Sequence, residues 1–468
     1  MGGIFVFIGR RNELSMLESK YHEPGGQLVV LYGRRRVGKT ELLHQFADNK
    51  QSVFYTCTEC ADSSQLQSFS ERILRAGHPA SAYTSSFQNW EIALNAVATL
   101  PGEGRKILVI DEFPYMVKGN PSIPSILQKL WDTQLKDSNV MIILCGSAMS
   151  FIEREILSEK NPLFGRATCI MKLMEMDYVD AADFFPNYST GDKLRAYAIL
   201  GGVPHYLIQF SDEIPLMQNI TERILRNGAL LYSEVEFLMR QEFRENAIYN
   251  TILGAVALGA TQLNELHQKT QIEKTKLCVY LKNLAEVGLV RREFSMSEKL
   301  KEQGNVQRGL YAIENNFFRF WYSFVYPYIS ELDAGDAEGI ARHVVAPMLD
   351  SFVSHPFEDI CIQYLRRQNR AEALPFHFTQ IGRWWSKNEE LDVFATDALH
   401  KRFLVGECKY KITPLELSDV ENTLRKVPPK AGRDVSYVFF SRSGFTKGAS
   451  QRIEELGGMA ISEAQLLF

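Results

Sequence analysis

Apolar runs with the length of single strands alternate with stretches of helical periodicity through the first third of the chain. Leu28 to Tyr32, Val53 to Tyr55, Ile107 to Ile110 and Val140 to Leu144 are short, aliphatic or aromatic, and read as buried strands. An amphipathic segment through Leu17 precedes them, a helix from Glu41 to Asp48 follows the first, and a helical stretch from Ser63 to Leu100 follows the second. Strands that alternate with helices in this way predict an α/β domain with a parallel sheet, whose ligand lies at the carboxyl edge. From Asp177 to about Arg240 the pattern is helical, broken at Gly201-Gly202-Val203-Pro204-His205.

Further on the pattern shortens. Ile248 to Leu258, the segment opened by Thr261, and Ile272 to Val287 predict three helices, and Gly288 to Phe294 with Leu310 to Ile313 predicts a two-stranded wing. An aromatic helix, Asn315 to Tyr328, is expected to turn its face to a core. Helical sequence from Ser351 to Arg367 is followed by two strands, Glu390 to Thr396 and Arg402 to Tyr410, joined by a polar hairpin turn.

Composition changes this picture little. The 468 residues exceed one ordinary core and suggest about three domains. A formal charge of −4 gives no global argument for nucleic acid, so any contact with DNA needs a local basic face. Seven scattered cysteines argue against a disulfide framework, and the Cys57-x-x-Cys60 pair lacks a second pair of zinc ligands nearby. No apolar run reaches membrane-spanning length and no signal-like segment opens the chain, so a reducing cytoplasm is the expected location.

The chemistry enters behind the first strand. Gly33, Arg34, Arg35, Arg36, Val37, Gly38, Lys39 and Thr40 fit G-x-x-x-x-G-K-[ST], with Glu41 in the helix that follows. The glycines let successive N–H groups face phosphate oxygens, Lys39 is expected to reach the β- and γ-phosphates, and the Thr40 hydroxyl to hold Mg²⁺. The three arginines inside the loop have no role on this reading beyond a solvated basic surface. About 70 residues on, the third strand ends in Asp111-Glu112, which suits one carboxylate supporting Mg²⁺ and a neighbour polarising water. Ser147, after the fourth strand, is either a sensor of the γ-phosphate or part of a plain Gly-Ser turn. Arg166, on the turn after Asn161-Pro162, is a candidate to neutralise the transferring phosphoryl group, and equally a salt-bridged structural arginine.

A second constellation lies near the carboxyl end. Glu407 and Lys409 are two apart on one strand and share a face, and the hairpin can bring Asp392 beside Glu407. Two carboxylates and a lysine can hold a divalent cation and orient water for phosphodiester attack, with Glu358 on the preceding helix as a further contributor. An alternating solvated hairpin produces the same spacing. Lys274, Lys276 and Lys282 on the third helix of the middle segment are expected to be exposed, where they can meet DNA phosphates.

Taken together, GRRRVGKT, LVIDEFPY, CGSAMS, PLFGR, GGVPHYL, IGRWW, ELDVFA and VGECKYK resemble the prokaryotic AAA-class ATPases, archaeal-type and STAND-related, with a C-terminal domain related to PD-(D/E)XK nucleases. The resemblance implies an α/β P-loop ATPase domain (1–176), a helical lid (177–240), a winged helix-turn-helix with the aromatic helix (241–330) and a restriction-endonuclease-like α/β domain (331–468). It implies Lys39, Thr40, Asp111 and Glu112 at an ATP and Mg²⁺ site with Ser147 as sensor, and Glu358, Asp392, Glu407 and Lys409 as the nuclease-like set. Leu391 stands where the family usually has proline before the first aspartate. The expected function is an ATPase coupled to a metal-dependent nuclease-like domain acting on double-stranded DNA. Its rivals are a nucleotide-operated switch or scaffold that cuts nothing, and a DNA-binding initiator-like ATPase without nuclease activity.

Overall fold

The computed structural model describes residues 7–296, 309–427 and 434–467. The chain forms two compact units: one runs to Met176 and takes in Val203–His205, the other comprises Asp177–Gly202 and the chain from Tyr206 onward.

In the first unit β1 (Gln27–Tyr32), β2 (Ser52–Thr56), β3 (Lys106–Asp111), β4 (Val140–Gly146) and β5 (Cys169–Lys172) form a parallel sheet in the order β2-β3-β4-β1-β5. Every residue of β1 and β4 is buried, because helices cover both faces of the sheet. Alternate residues of β1 feed two separate cores: Leu28 and Val30 pack with Phe69, Trp90 and Phe113, while Val29 and Leu31 pack with Leu43 and Phe46. This order sets the carboxyl ends of β1, β4 and β3 side by side.

Two elements differ from the sequence expectation. The stretch from Ser63 to Leu100 is not one helix. It divides into Asp62–Arg75, Trp90–Asn95 and single 3₁₀ turns. Gly77 at φ 94° and Pro79 interrupt it, and the His78 ring accepts from the Ala80 amide at the new start. Strand β5 carries no strong sequence signal, since it is a four-residue edge strand with Ile170 exposed.

The second unit begins with short helices between Tyr178 and Glu242. Three helices follow, Asn246–Ala257, Leu263–Thr270 and Lys274–Glu286, then the antiparallel pair β6 (Val290–Glu293) and β7 (Leu310–Ile313). The polar loop expected between these strands lies outside the described residues. The aromatic helix Asn316–Phe324 buries Phe317, Phe318, Phe320, Trp321, Tyr322 and Phe324.

The next long helix starts earlier than its sequence suggests, running from Ala346 to Arg370 straight through Pro356. A proline there cannot donate to the Phe352 carbonyl four residues back. Arg319 replaces that donor at 2.6 Å, with its guanidinium lying over the Phe352 ring. A mixed sheet completes the unit, in the order β12-β11-β10-β9-β8. Its strands are β8 (Gln380–Trp385), β9 (Glu390–Thr396), β10 (Arg402–Lys409), β11 (Asp434–Ser441) and β12 (Met459–Ser462). β9 runs antiparallel to β8 and β10, and β10, β11 and β12 run parallel. Among the described residues no helix is long and apolar enough to cross a membrane.

Candidate functional site

The phosphate loop leaves β1 at Gly33 and enters the Lys39–Ala47 helix. Gly38 at φ 88° and Arg36 at φ 72° make the left-handed turn that points loop amides inward. Gly33 serves a purpose the sequence does not announce: a Cβ there would lie 2.3 Å from the Leu173 carbonyl oxygen, where the chain leaving β5 passes the loop. Gly33→Ala is therefore expected to destabilise the first unit by about 1–3 kcal/mol, through overpacking against backbone that cannot yield. A lowered thermal midpoint without nucleotide checks this, whereas a glycine needed only for phosphate approach would leave that midpoint unchanged.

The Lys39 side chain is buried and donates to the carbonyls of Gly33 and Arg34, each at 2.9 Å. Burial lowers its pKa, while Cys145, Glu112 and Asp111 act in the opposite direction. Thr40 Oγ1 donates to Asp111 Oδ2 at 2.9 Å, and the other Asp111 oxygen accepts the Glu112 amide at 2.9 Å. Glu112 sits at φ 51° immediately after β3, a left-handed turn that re-aims its side chain. Its Oε2 accepts from the Ser147 hydroxyl at 3.0 Å and from the Ser147 amide at 3.3 Å. Lys39, Thr40, Asp111, Glu112 and Ser147 are thus one cluster at the carboxyl edge of three neighbouring strands. The Thr40 hydroxyl and Asp111 carboxylate present the hard oxygens that Mg²⁺ takes, so the donor set suits that ion.

The remaining loop residues divide by role. The Val37 side chain is buried, Arg35, Arg36 and Glu41 are exposed, and Arg34 pairs with Glu175 at 3.2 Å. Arg10, which sequence reasoning passed over, is 5% exposed and donates to the Val37 carbonyl at 2.9 Å while pairing with Glu13. It braces the loop from outside. Its signal was the Gly9-Arg10 turn ahead of the first helix, where Arg10 has φ 58° and caps the Arg11–His22 segment.

Arg166 is not drawn into this cluster. Its guanidinium makes a two-pronged pair with Asp132, at 2.9 and 2.7 Å, and donates to the Pro162 carbonyl at 2.8 Å. Of the two roles left open by the sequence, the structural one accounts for these contacts.

In the second unit, β9 and β10 pair in a register ending at Gly406↔Val393, which sets Asp392 next to Glu407. Asp392 Oδ2 accepts the Cys408 amide at 2.8 Å. Glu407 is buried, pairs with Lys409 at 2.7 Å, and has Lys426 at 3.5 Å. Burial and then the nearby Glu407 charge raise the Asp392 pKa, against the pull of the Cys408 amide. Glu358 projects from the Ala346–Arg370 helix and pairs with Arg383 of β8 at 2.7 Å. Burial also raises its pKa, with Arg383 opposing and Asp392 reinforcing the rise. All four side chains therefore belong to one region. Carboxylates are suitable donors for Mg²⁺ or Mn²⁺, yet among the described residues no three His, Cys, Asp or Glu side chains converge as a cation cage. In this conformation the set does not fit a bound metal.

Residues 7–210 match the model of an ATPase domain predominantly from Archaea, and residues 321–423 match that of archaeal and bacterial proteins of unknown function. Uncharacterized protein MJECL04 of Methanocaldococcus jannaschii is 30% identical over 428 residues, which span 91% of this chain and 92% of that protein. The chain belongs to this family of archaeal-type ATPases. A second relative from that archaeon, the uncharacterized ATP-binding protein MJ0423, is 51% identical over 51 residues, 11% of this chain and 86% of that protein. Among solved structures, the Walker-type ATPase of Pyrococcus abyssi aligns with a TM-score of 0.51 at 20% identity, covering 68% of this chain and 96% of that one. That likeness is one of fold. For the archaeal-type ATPase described here, it agrees with a parallel five-stranded sheet carrying the phosphate loop after β1.

Proposed function

We propose that the chain is a cytoplasmic, Mg²⁺-dependent ATPase whose nucleotide state governs a C-terminal carboxylate site of the restriction-endonuclease-like kind. Residues 1–176 are read as the ATPase core, 177–240 as a helical lid, 241–330 as a winged helix with its aromatic helix, and 331–468 as the nuclease-like domain. The observation that carries the ATPase reading is the 2.9 Å bond between Thr40 and Asp111 beside the buried Lys39. Lys39 binds the β- and γ-phosphates and stabilises charge that grows in the transition state. Glu112, steadied by Ser147, takes the proton of the attacking water. Mg²⁺, when bound, supplies further neutralisation of the phosphates, with Thr40 and Asp111 as its protein holders.

The nuclease-like reading rests on Asp392, Glu407 and Lys409 on two paired strands, with Glu358 behind them. Lys274, Lys276 and Lys282 are exposed on the Lys274–Glu286 helix, which supports contact with a DNA backbone. The test is to incubate plasmid and linear DNA with the full chain and Mg²⁺ or Mn²⁺, with and without ATP. Cleavage is expected from the wild type when ATP is present, with a loss of about a hundredfold or more in Asp392→Ala.

One observation favours a second reading, a nucleotide-operated switch that cuts nothing: Glu358, Asp392 and Glu407 are each engaged by an internal cation or amide. DNA left equally intact by wild type and Asp392→Ala, while ATP is consumed, decides for the switch.

A further inference from the structure

Each nuclease-like carboxylate has an internal partner, and the one that holds Glu358 is Arg383. Arg383 is 11% exposed and reaches in two directions. Its Nη2 lies 2.7 Å from Glu358 Oε2 and 2.7 Å from His355 Nδ1, and its Nη1 lies 3.2 Å from Glu293 Oε2 on β6. Burial and then the adjoining guanidinium push His355 down to about 3, so its ring is neutral and accepts from Arg383.

The tether to β6 does not depend on that one ion pair. The chain continuing past β6 runs along β8: the Ser295 hydroxyl and the Trp385 backbone exchange two hydrogen bonds at 2.9 Å, and the Met296 amide donates to the Arg383 carbonyl at 3.0 Å. Arg291 of β6 also pairs with Asp359, the neighbour of Glu358, at 2.9 Å.

We infer that Arg383 is a latch on the carboxylate site: it holds Glu358 in an ion pair that a divalent cation must break, and it is itself held by the β6 strand. This rests on the nuclease-like reading and adds its regulation. A fixed positive charge in contact with one carboxylate of the set repels a second cation and occupies a ligand that cation needs. The site is thus folded in a metal-averse form, with Arg383 occupying Glu358. Arg383 acts through Glu358 and is a positioning residue.

The experiment is a Mn²⁺ titration of the nucleotide-free full chain followed by electron paramagnetic resonance, subtracting whatever binding Asp392→Ala retains. Arg383→Gln and Arg383→Met both remove the charge, and Arg383→Lys keeps it. Cooperative melting identifies the folded variants, and either uncharged variant suffices. The latch predicts Mn²⁺ binding tighter by about tenfold or more in the uncharged variants, with Arg383→Lys close to wild type. Unchanged or weaker binding in a folded uncharged variant, beside measurable wild-type binding at the Asp392 site, overturns the latch and leaves the cation-site reading standing. No Asp392-dependent binding in any of these proteins overturns both.

Discussion

Lys39→Ala is expected to abolish ATP turnover by the purified chain, with a loss of about a hundredfold or more. The Lys39 ammonium is buried against the loop, where its 2.9 Å bonds to the Gly33 and Arg34 carbonyls fix it. Alanine removes that charge and leaves the two carbonyls without their donor. Binding suffers along with chemistry. In wild type, ATP at a hundredfold excess over Kd adds about 2.7 kcal/mol to stability through linkage. The same addition should give Lys39→Ala little thermal protection, which a melting curve with and without Mg²⁺-ATP reads directly.

Glu112→Gln is expected to separate the two effects. Glutamine has the shape of glutamate and can still accept from the Ser147 hydroxyl, now 3.0 Å from Oε2, so the turn after β3 survives. It cannot accept the proton of the attacking water, and turnover should fall by about 10²–10⁴. ATP-dependent thermal protection should remain near the wild-type value. Turnover within a few fold of wild type would remove Glu112 from the role of base and leave it a partner of Ser147.

Strands β1, β3 and β4 of the first sheet were legible because they are nearly continuous apolar runs, the mark of strands covered on both faces. The grouping of Lys39, Thr40, Asp111 and Glu112 was legible as well, since a parallel sheet gathers strand ends at one edge. The missing pieces depend on contacts between residues distant in sequence. Gly33 is required by the Leu173 carbonyl, Arg10 by the Val37 carbonyl, and Arg166 is claimed by Asp132. None of these partners follows from local pattern. Pro356 illustrates the same limit within a helix, because its freed acceptor is satisfied by Arg319 from the aromatic helix. In the second unit the Asp392, Glu407 and Lys409 spacing could be read from alternation along a hairpin, while the hold of Arg383 on Glu358 required β8 to be set beside the long helix.

This chain is expected to hydrolyse ATP with Lys39 as phosphate binder and Glu112 as base. Phosphate release from Mg²⁺-ATP, measured side by side on wild type, Lys39→Ala and Glu112→Gln, tests it most directly. Release by the wild type alone is expected, with ATP-dependent thermal protection kept by Glu112→Gln and lost by Lys39→Ala. Equal phosphate release by all three proteins would contradict it.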